Sequence, residues 1–81
     1  MMRLAEEARR LRLQAAVGLA HVEIIQTRIR DAAAGHLVST NISTPWSCGV
    51  SWELAVKAWL EFEGFDVTVV PGGHLVVYWE D

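Results

Sequence analysis

The residues that could carry chemistry are concentrated in one short stretch, residues 39–52, which reads STNISTPWSCGVSW. This stretch holds six hydroxyl side chains, two tryptophans and the only cysteine of the chain, Cys48. A cysteine near the start of a helix becomes a nucleophile when a base lies beside it. No histidine is spaced to supply that base, so we interpret Cys48 as a small buried thiol.

The same stretch could instead bind an anion. Free backbone amides at the start of a helix hold phosphate groups well, and a charged guanidinium from a neighbouring subunit would complete the charge match. A tryptophan in the loop would give a planar ligand a surface on which to stack. The predicted ligand-binding residues are Thr44, Trp46, Ser47, Ser51, Arg28 and Arg30. Two other interpretations of Trp46 stay open, a plug for one end of the core and an anchor in a subunit interface.

Other chemistries lack their characteristic residues. The three histidines, His21, His36 and His74, have no metal-ligand spacing among themselves or with Cys48. Neither a serine nucleophile elbow nor a phosphate loop occurs, and the acidic residues of the second half are spread along elements with apolar alternate faces. We therefore expect a protein that is not an enzyme and needs no metal or cofactor.

Composition and charge narrow the classes further. An 81-residue chain with 52% hydrophobic residues is too apolar for disorder, and its core is marginal without a disulfide or a partner chain. Residues 1–31 carry six arginines against four acids, whereas residues 32–81 carry one lysine against six acids. This balance argues against nucleic-acid binding. Without a membrane span or a signal-peptide pattern, we expect a cytoplasmic protein or a virion component.

An apolar heptad repeat runs through the N-terminal segment with alternating spacings of 4 and 3. Its positions are Leu4, Ala8, Leu11, Ala15, Gly18, Val22, Ile25, Ile29 and Ala32. We predict one oligomerisation helix over residues 1–34, about 45 Å long and capped by Gly35. The small first half of the repeat favours close approach of another helix near Ala15 and Gly18, and the β-branched second half favours core packing. The alternative is a helix that lies only on its own sheet.

Residues 36–81 are predicted to form a small βαββ unit of the same single domain. The first strand lies within LVSTNIS, and a helix follows that Ser51 caps and Gly64 ends. The segments FDVTVV and HLVVYW then form a hairpin around the turn PGG. Because the last strand is apolar at nearly every position, it should be central, in the order 1-3-2. The fold class is therefore α+β.

Three structural motifs resemble a pattern of small bacteriophage-encoded proteins. They are the turn at residues 32–35, Gly64 followed by Phe65, and Val77 with Trp79 in the last strand. The resemblance implies a phage origin and the same fold, and it carries no functional residue. We expect a non-enzymatic homo-oligomer that sequesters a small nucleotide-like, phosphate-bearing immune signal between subunits. The alternative is a structural virion or assembly protein, such as a decoration, connector or tail component.

Overall fold

Three helices and a three-stranded antiparallel sheet make up the protein, in a computed structural model that describes residues 4–79. In chain order the elements are α1 (Leu4–Val17), α2 (Leu19–Ala34), β1 (Ser39–Ser43), α3 (Val50–Phe62), β2 (Asp66–Val70) and β3 (His74–Tyr78). The strand order β1-β3-β2 confirms both the α+β class and the central position of the last strand. The ends of the two predicted segments, at residues 1–3 and 80–81, lie outside the described residues.

The N-terminal segment is helical as predicted, but it is divided at Gly18 rather than forming one straight helix. Gly18 has a φ of +102°, in the region that only glycine adopts readily. The chain changes direction there, although the Gly18 amide still donates to Gln14 and the Gly18 carbonyl still accepts from Val22. The spacing of apolar residues does not reveal such a break, because glycine fits the small positions of a heptad repeat.

The break separates the heptad repeat into a buried half and an exposed half. On α2, Val22, Ile25 and Ala32 are buried in the core, and this helix packs on β1. On α1, Leu4 is 82% exposed and Leu11 is 59% exposed. Helix α1 packs on α3 through a different face, which includes the buried Val17 and the half-buried Leu13. The predicted core packing of the second half is thus observed within the chain.

The sheet is covered on one face only. Strand register aligns Ile42 with Leu75 and Val69, and Val77 with Val67, on the face beneath the helices. Trp59, Leu60 and Val56 of α3 pack into this core and are almost fully buried. The opposite face carries polar residues of β1 and β2 together with Val76 and Tyr78 of the apolar strand β3.

Two of the three predicted helix caps differ from the structure. Helix α3 starts at Val50 after Gly49, and no side chain caps it, so Ser51 lies inside the first turn. At the end of α2, Gly35 has an ordinary φ of −87°, and His36 takes the left-handed conformation with a φ of +66°. The amides of Leu37 and His36 bond back to the last turn, which needs its left-handed residue one position later than Gly35.

The end of α3 agrees with the prediction. Gly64 has a φ of +104°, and its amide donates to the Glu61 carbonyl. The next amide, that of Phe65, donates to the Leu60 carbonyl. These two bonds satisfy carbonyls that the helix end would leave free, and they direct the chain into β2.

Candidate functional site

The loop between β1 and α3 projects its tryptophan into solvent. Trp46 is 96% exposed, so it does not plug the core. Beside it, the Thr44 hydroxyl donates to the Glu53 carboxylate over 2.5 Å, and Glu53 itself is buried. A buried acid in the first turn of α3 therefore already occupies one of the hydroxyls predicted to bind an anion.

Ser47 and Ser51 line an open depression at the start of α3. Cys48, Gly49, Trp52 and small residues of α1 and α3 complete its walls, around a volume of about 480 Å³. None of the charged side chains within residues 4–79 lines this depression. The Ser47 and Ser51 hydroxyl groups are exposed to solvent. A cation that pairs with an anion bound to them would have to come from another molecule.

Arg28 lines a narrower groove of about 220 Å³ between α2 and the loop. The groove is mostly apolar, and its other polar side chains are His21 and Ser43. At one end, the Trp52 indole N–H lies 3.1 Å from the Val17 carbonyl oxygen and 3.2 Å from His21 Nδ1. His21 Nδ1 also lies 3.4 Å from the same Val17 carbonyl oxygen, so the indole, the imidazole and this carbonyl meet at one point. These hydrogen bonds tie α3 to the break between α1 and α2.

Arg30 lines a third depression, which we call the interhelix cleft. This cleft of about 400 Å³ is formed by α1, α2 and the end of α3, and Phe65 closes one side. Its lining residues are Arg10, Gln14, Gln26, Ile29, Arg30, Trp59, Leu60, Glu63 and Phe65. The volume lies within the range of small-molecule sites.

One carboxylate organises the α1 side of the interhelix cleft. Glu63 accepts hydrogen bonds from Arg10 Nε at 2.6 Å and from the Trp59 indole N–H at 3.2 Å. The hydrogen bond to Glu63, and then its charge, raise the pKa of the Arg10 guanidinium. The same guanidinium lies 5.6 Å from the centre of the Phe62 ring. Arg10 is thereby held between a carboxylate and an aromatic face.

Within one protomer, the predicted ligand-binding residues divide among these places. Arg28 and Arg30 line different depressions, and neither shares one with Ser47 or Ser51. Sequence reasoning missed the residues that face Arg30 across the interhelix cleft, Arg10, Gln14 and Glu63. Glu63 lies 53 positions from Arg10 in the chain, so only the packing of α1 on α3 brings them together. The spacing of Gln26 and Arg30, one helical turn apart, was the available signal.

The exposed half of the heptad repeat forms a second candidate surface, which we call the α1 stripe. It consists of Leu4, Ala8, Leu11 and Ala15, all exposed. Glu7 and Arg12 flank this stripe and are also exposed. An apolar stripe with charged flanks is the pattern by which helices pair.

Residues 4–79 show neither a cluster of metal ligands nor a membrane-spanning helix. No group of three or more histidine, cysteine, aspartate or glutamate side chains in this part of the chain is arranged to hold a metal ion. No helix among the same residues has the length and apolar character that crossing a membrane requires.

Comparisons of the chain with models of protein families, with curated proteins and with solved structures each found no match. The phage origin and the immune-signal ligand therefore remain predictions from the sequence. What the molecule does has to be argued from its own surface.

Proposed function

We propose that the protein is a non-enzymatic homo-oligomer whose copies associate through the α1 stripe. The observation that carries this proposal is the exposure of two leucines, Leu4 and Leu11, in a heptad register whose continuation on α2 is buried. Exposed leucines at that spacing leave apolar surface in contact with water, and pairing with a second helix buries that surface. A small domain gains from such association because its own core is limited.

The flanking charges favour a parallel pair of α1 helices. With Leu4 and Leu11 at the d positions and the alanines at the a positions, Glu7 occupies a g position and Arg12 the following e position. In parallel coiled coils the g residue of one helix faces the next e residue of its partner. Glu7 of each copy would then meet Arg12 of the other, in two symmetric ion pairs. The alanines at the a positions allow the helices to approach closely.

Two roles of such an assembly follow from the remaining surface. In the first, the exposed Trp46 anchors a contact with another protein, as a structural or assembly component of a virion requires. The full exposure of this indole, next to a threonine already bonded to Glu53, favours this role for the loop.

In the second role, the assembly sequesters a small nucleotide-like ligand at the boundary between copies. Arg28 of one copy would then have to approach Ser47 and Ser51 of another.

The α1 stripe is tested by the concentration dependence of the molecular mass. In sedimentation velocity experiments, the unchanged protein should be oligomeric at micromolar concentration, and Leu11→Gln should shift it to monomer. Leu37→Gln is the matched control, because Leu37 is 58% exposed but lies outside the stripe. Monomeric unchanged protein, or equal loss of association in both variants, would overturn the proposal.

The parallel register has its own test by charge exchange. Glu7→Arg and Arg12→Glu should each weaken association, since each places like charges opposite one another. The double variant restores opposite charges and should recover the oligomer. If the double variant stays as weak as the singles, Glu7 and Arg12 do not face each other and the parallel arrangement is wrong.

A further inference from the structure

The interhelix cleft has polar side chains that lack hydrogen-bond partners among the residues that the structure describes. Among residues 4–79, the side chains of Gln14, Gln26 and Arg30 make no hydrogen bond or ion pair, although all three line the cleft. Arg10, by contrast, is bound to Glu63. The cleft therefore combines one organised ion pair with one guanidinium and two amides whose hydrogen-bonding groups are open to a ligand.

The charge and the floor of the cleft define what it would take. Its ionised residues are Arg10, Arg30 and Glu63, which leave one net positive charge. Its accessible apolar lining is formed by the half-buried Ile29 and Phe65, while Trp59 and Leu60, which also line it, are almost fully buried. We infer that the interhelix cleft binds a small flat apolar or aromatic molecule that carries one oxyanion group, a carboxylate or a phosphate.

The position of Glu63 sets the orientation of this ligand. A carboxylate at the Arg10 end repels a second anion, so the oxyanion lies at the Arg30 end, where Gln26 is one helical turn away. A planar guanidinium binds both oxygens of a carboxylate or phosphate, and a glutamine amide adds a donor. The flat body of the ligand then lies over Ile29 and Phe65, with the Gln14 amide at its edge. All residues of this site come from one protomer, and none of them belongs to the α1 stripe.

The test uses two anionic probes, each with a neutral counterpart of the same shape. 1-Naphthoate is compared with 1-naphthamide, and adenosine monophosphate with adenosine, in titrations followed by the NMR signals of the indole N–H groups. We expect at least one anion to give a saturable shift of the Trp59 indole, which lines the cleft, and its neutral counterpart to bind about tenfold more weakly. Binding of naphthoate alone identifies a carboxylate as the preferred group, and binding of the nucleotide alone identifies a phosphate.

Two arginine variants locate the charge. Arg30→Gln should weaken binding of the anion about tenfold. Arg28→Gln removes the same charge from the same helix but outside the cleft, and should leave binding unchanged. Equal effects of the two variants, equal binding of the neutral counterparts, or no saturable Trp59 shift with either anion would each overturn the inference. Sedimentation of the same samples measures association through the α1 stripe. Failure of the cleft to bind an anion can therefore be distinguished from failure of the protein to form an oligomer.

Discussion

The helices α1 and α2 share one apolar repeat in the sequence, but only α2 buries its part of that repeat. On α2 the repeat positions Val22 and Ile25 are in the core, whereas on α1 the positions Leu4 and Leu11 face solvent. The difference arises at Gly18, where the positive φ ends one helix and starts the next in a new direction. Periodicity therefore identified an apolar face in both helices, and it did not determine what covers that face.

Helix α1 is held to α3 by residues outside its repeat. Val17 and Leu13 pack against the core, and Arg10 pairs with Glu63 at the end of α3. With this face buried, the stripe of α1 points away from the domain. A helix that is bound on one side and apolar on the other has the two surfaces that self-association needs.

The largest expected effect is the difference in stability loss between truncations in the buried half of the repeat on α2 and in the exposed half on α1. Ile25→Ala should lower the free energy of unfolding by about 2–5 kcal/mol, because Ile25 is 1% exposed and truncation leaves a cavity. Leu11→Ala should change it by less than about 0.5 kcal/mol in the monomer. The two free energies of unfolding are compared by urea unfolding, at protein concentrations at which sedimentation shows a monomer.

If Ile25→Ala fails to fold, Ile25→Val gives a measurable loss of about 0.5–1.5 kcal/mol. A loss at Leu11 in the monomer as large as the loss at Ile25 would show that the α1 stripe is already covered within one protomer.

The next effect addresses the break itself. Gly18→Ala should cost about 1–3 kcal/mol, since an alanine strongly disfavours a φ of +102°. Space is not the cause, because a Cβ at this position would meet only His21 at an ordinary 3.5 Å. Thermal unfolding measures the loss, and the hydrodynamic radius reports whether the segment straightens into one longer helix.

Gly35→Ala is the matched control for the break. Gly35 has a φ of −87°, and a Cβ there would lie 3.6 Å from its nearest atoms, so stability should change by less than about 0.5 kcal/mol. Equal effects of the two alanine substitutions would mean that the direction of the chain at Gly18 does not depend on glycine.

The sequence predicted those features that depend on short-range pattern. Alternation along FDVTVV and the continuous apolar run in HLVVYW correctly indicated a hairpin with a central last strand. It could not predict the break, because Gly18 occupies a repeat position at which any small residue fits. Nor could the sequence predict the interhelix cleft, because only the packing of α1 on α3 brings Arg10 to Glu63, 53 positions away in the chain. The exposure of Trp46 likewise depends on the path of the loop between β1 and α3, which the pattern of residues does not specify.

A smaller effect concerns the hydrogen bonds that hold the break against α3. Trp52→Phe keeps most of the buried ring and removes the N–H that lies within bonding distance of Val17 and His21. The free energy of unfolding should fall by about 1–2 kcal/mol from the lost bond and the altered packing. Trp46→Phe should have no measurable effect, because that indole is exposed. If urea unfolding shows a similar loss of stability for both substitutions, the Trp52 indole N–H does not stabilise the break between α1 and α2.

The smallest effect is at the other end of α2, where a residue other than glycine has a positive φ. His36 has a φ of +66°, a conformation that disfavours side chains with a Cβ. His36→Gly should therefore stabilise the protein by about 0.5–1 kcal/mol, since the relief of strain exceeds the entropy that glycine adds to the unfolded chain. His36→Ala keeps the Cβ and should leave stability unchanged. If alanine stabilises as much as glycine in urea unfolding, the imidazole rather than the backbone causes the cost. The two ends of α2 differ in the residue that has the positive φ, Gly18 at one end and His36 at the other, and this difference would then have no energetic basis.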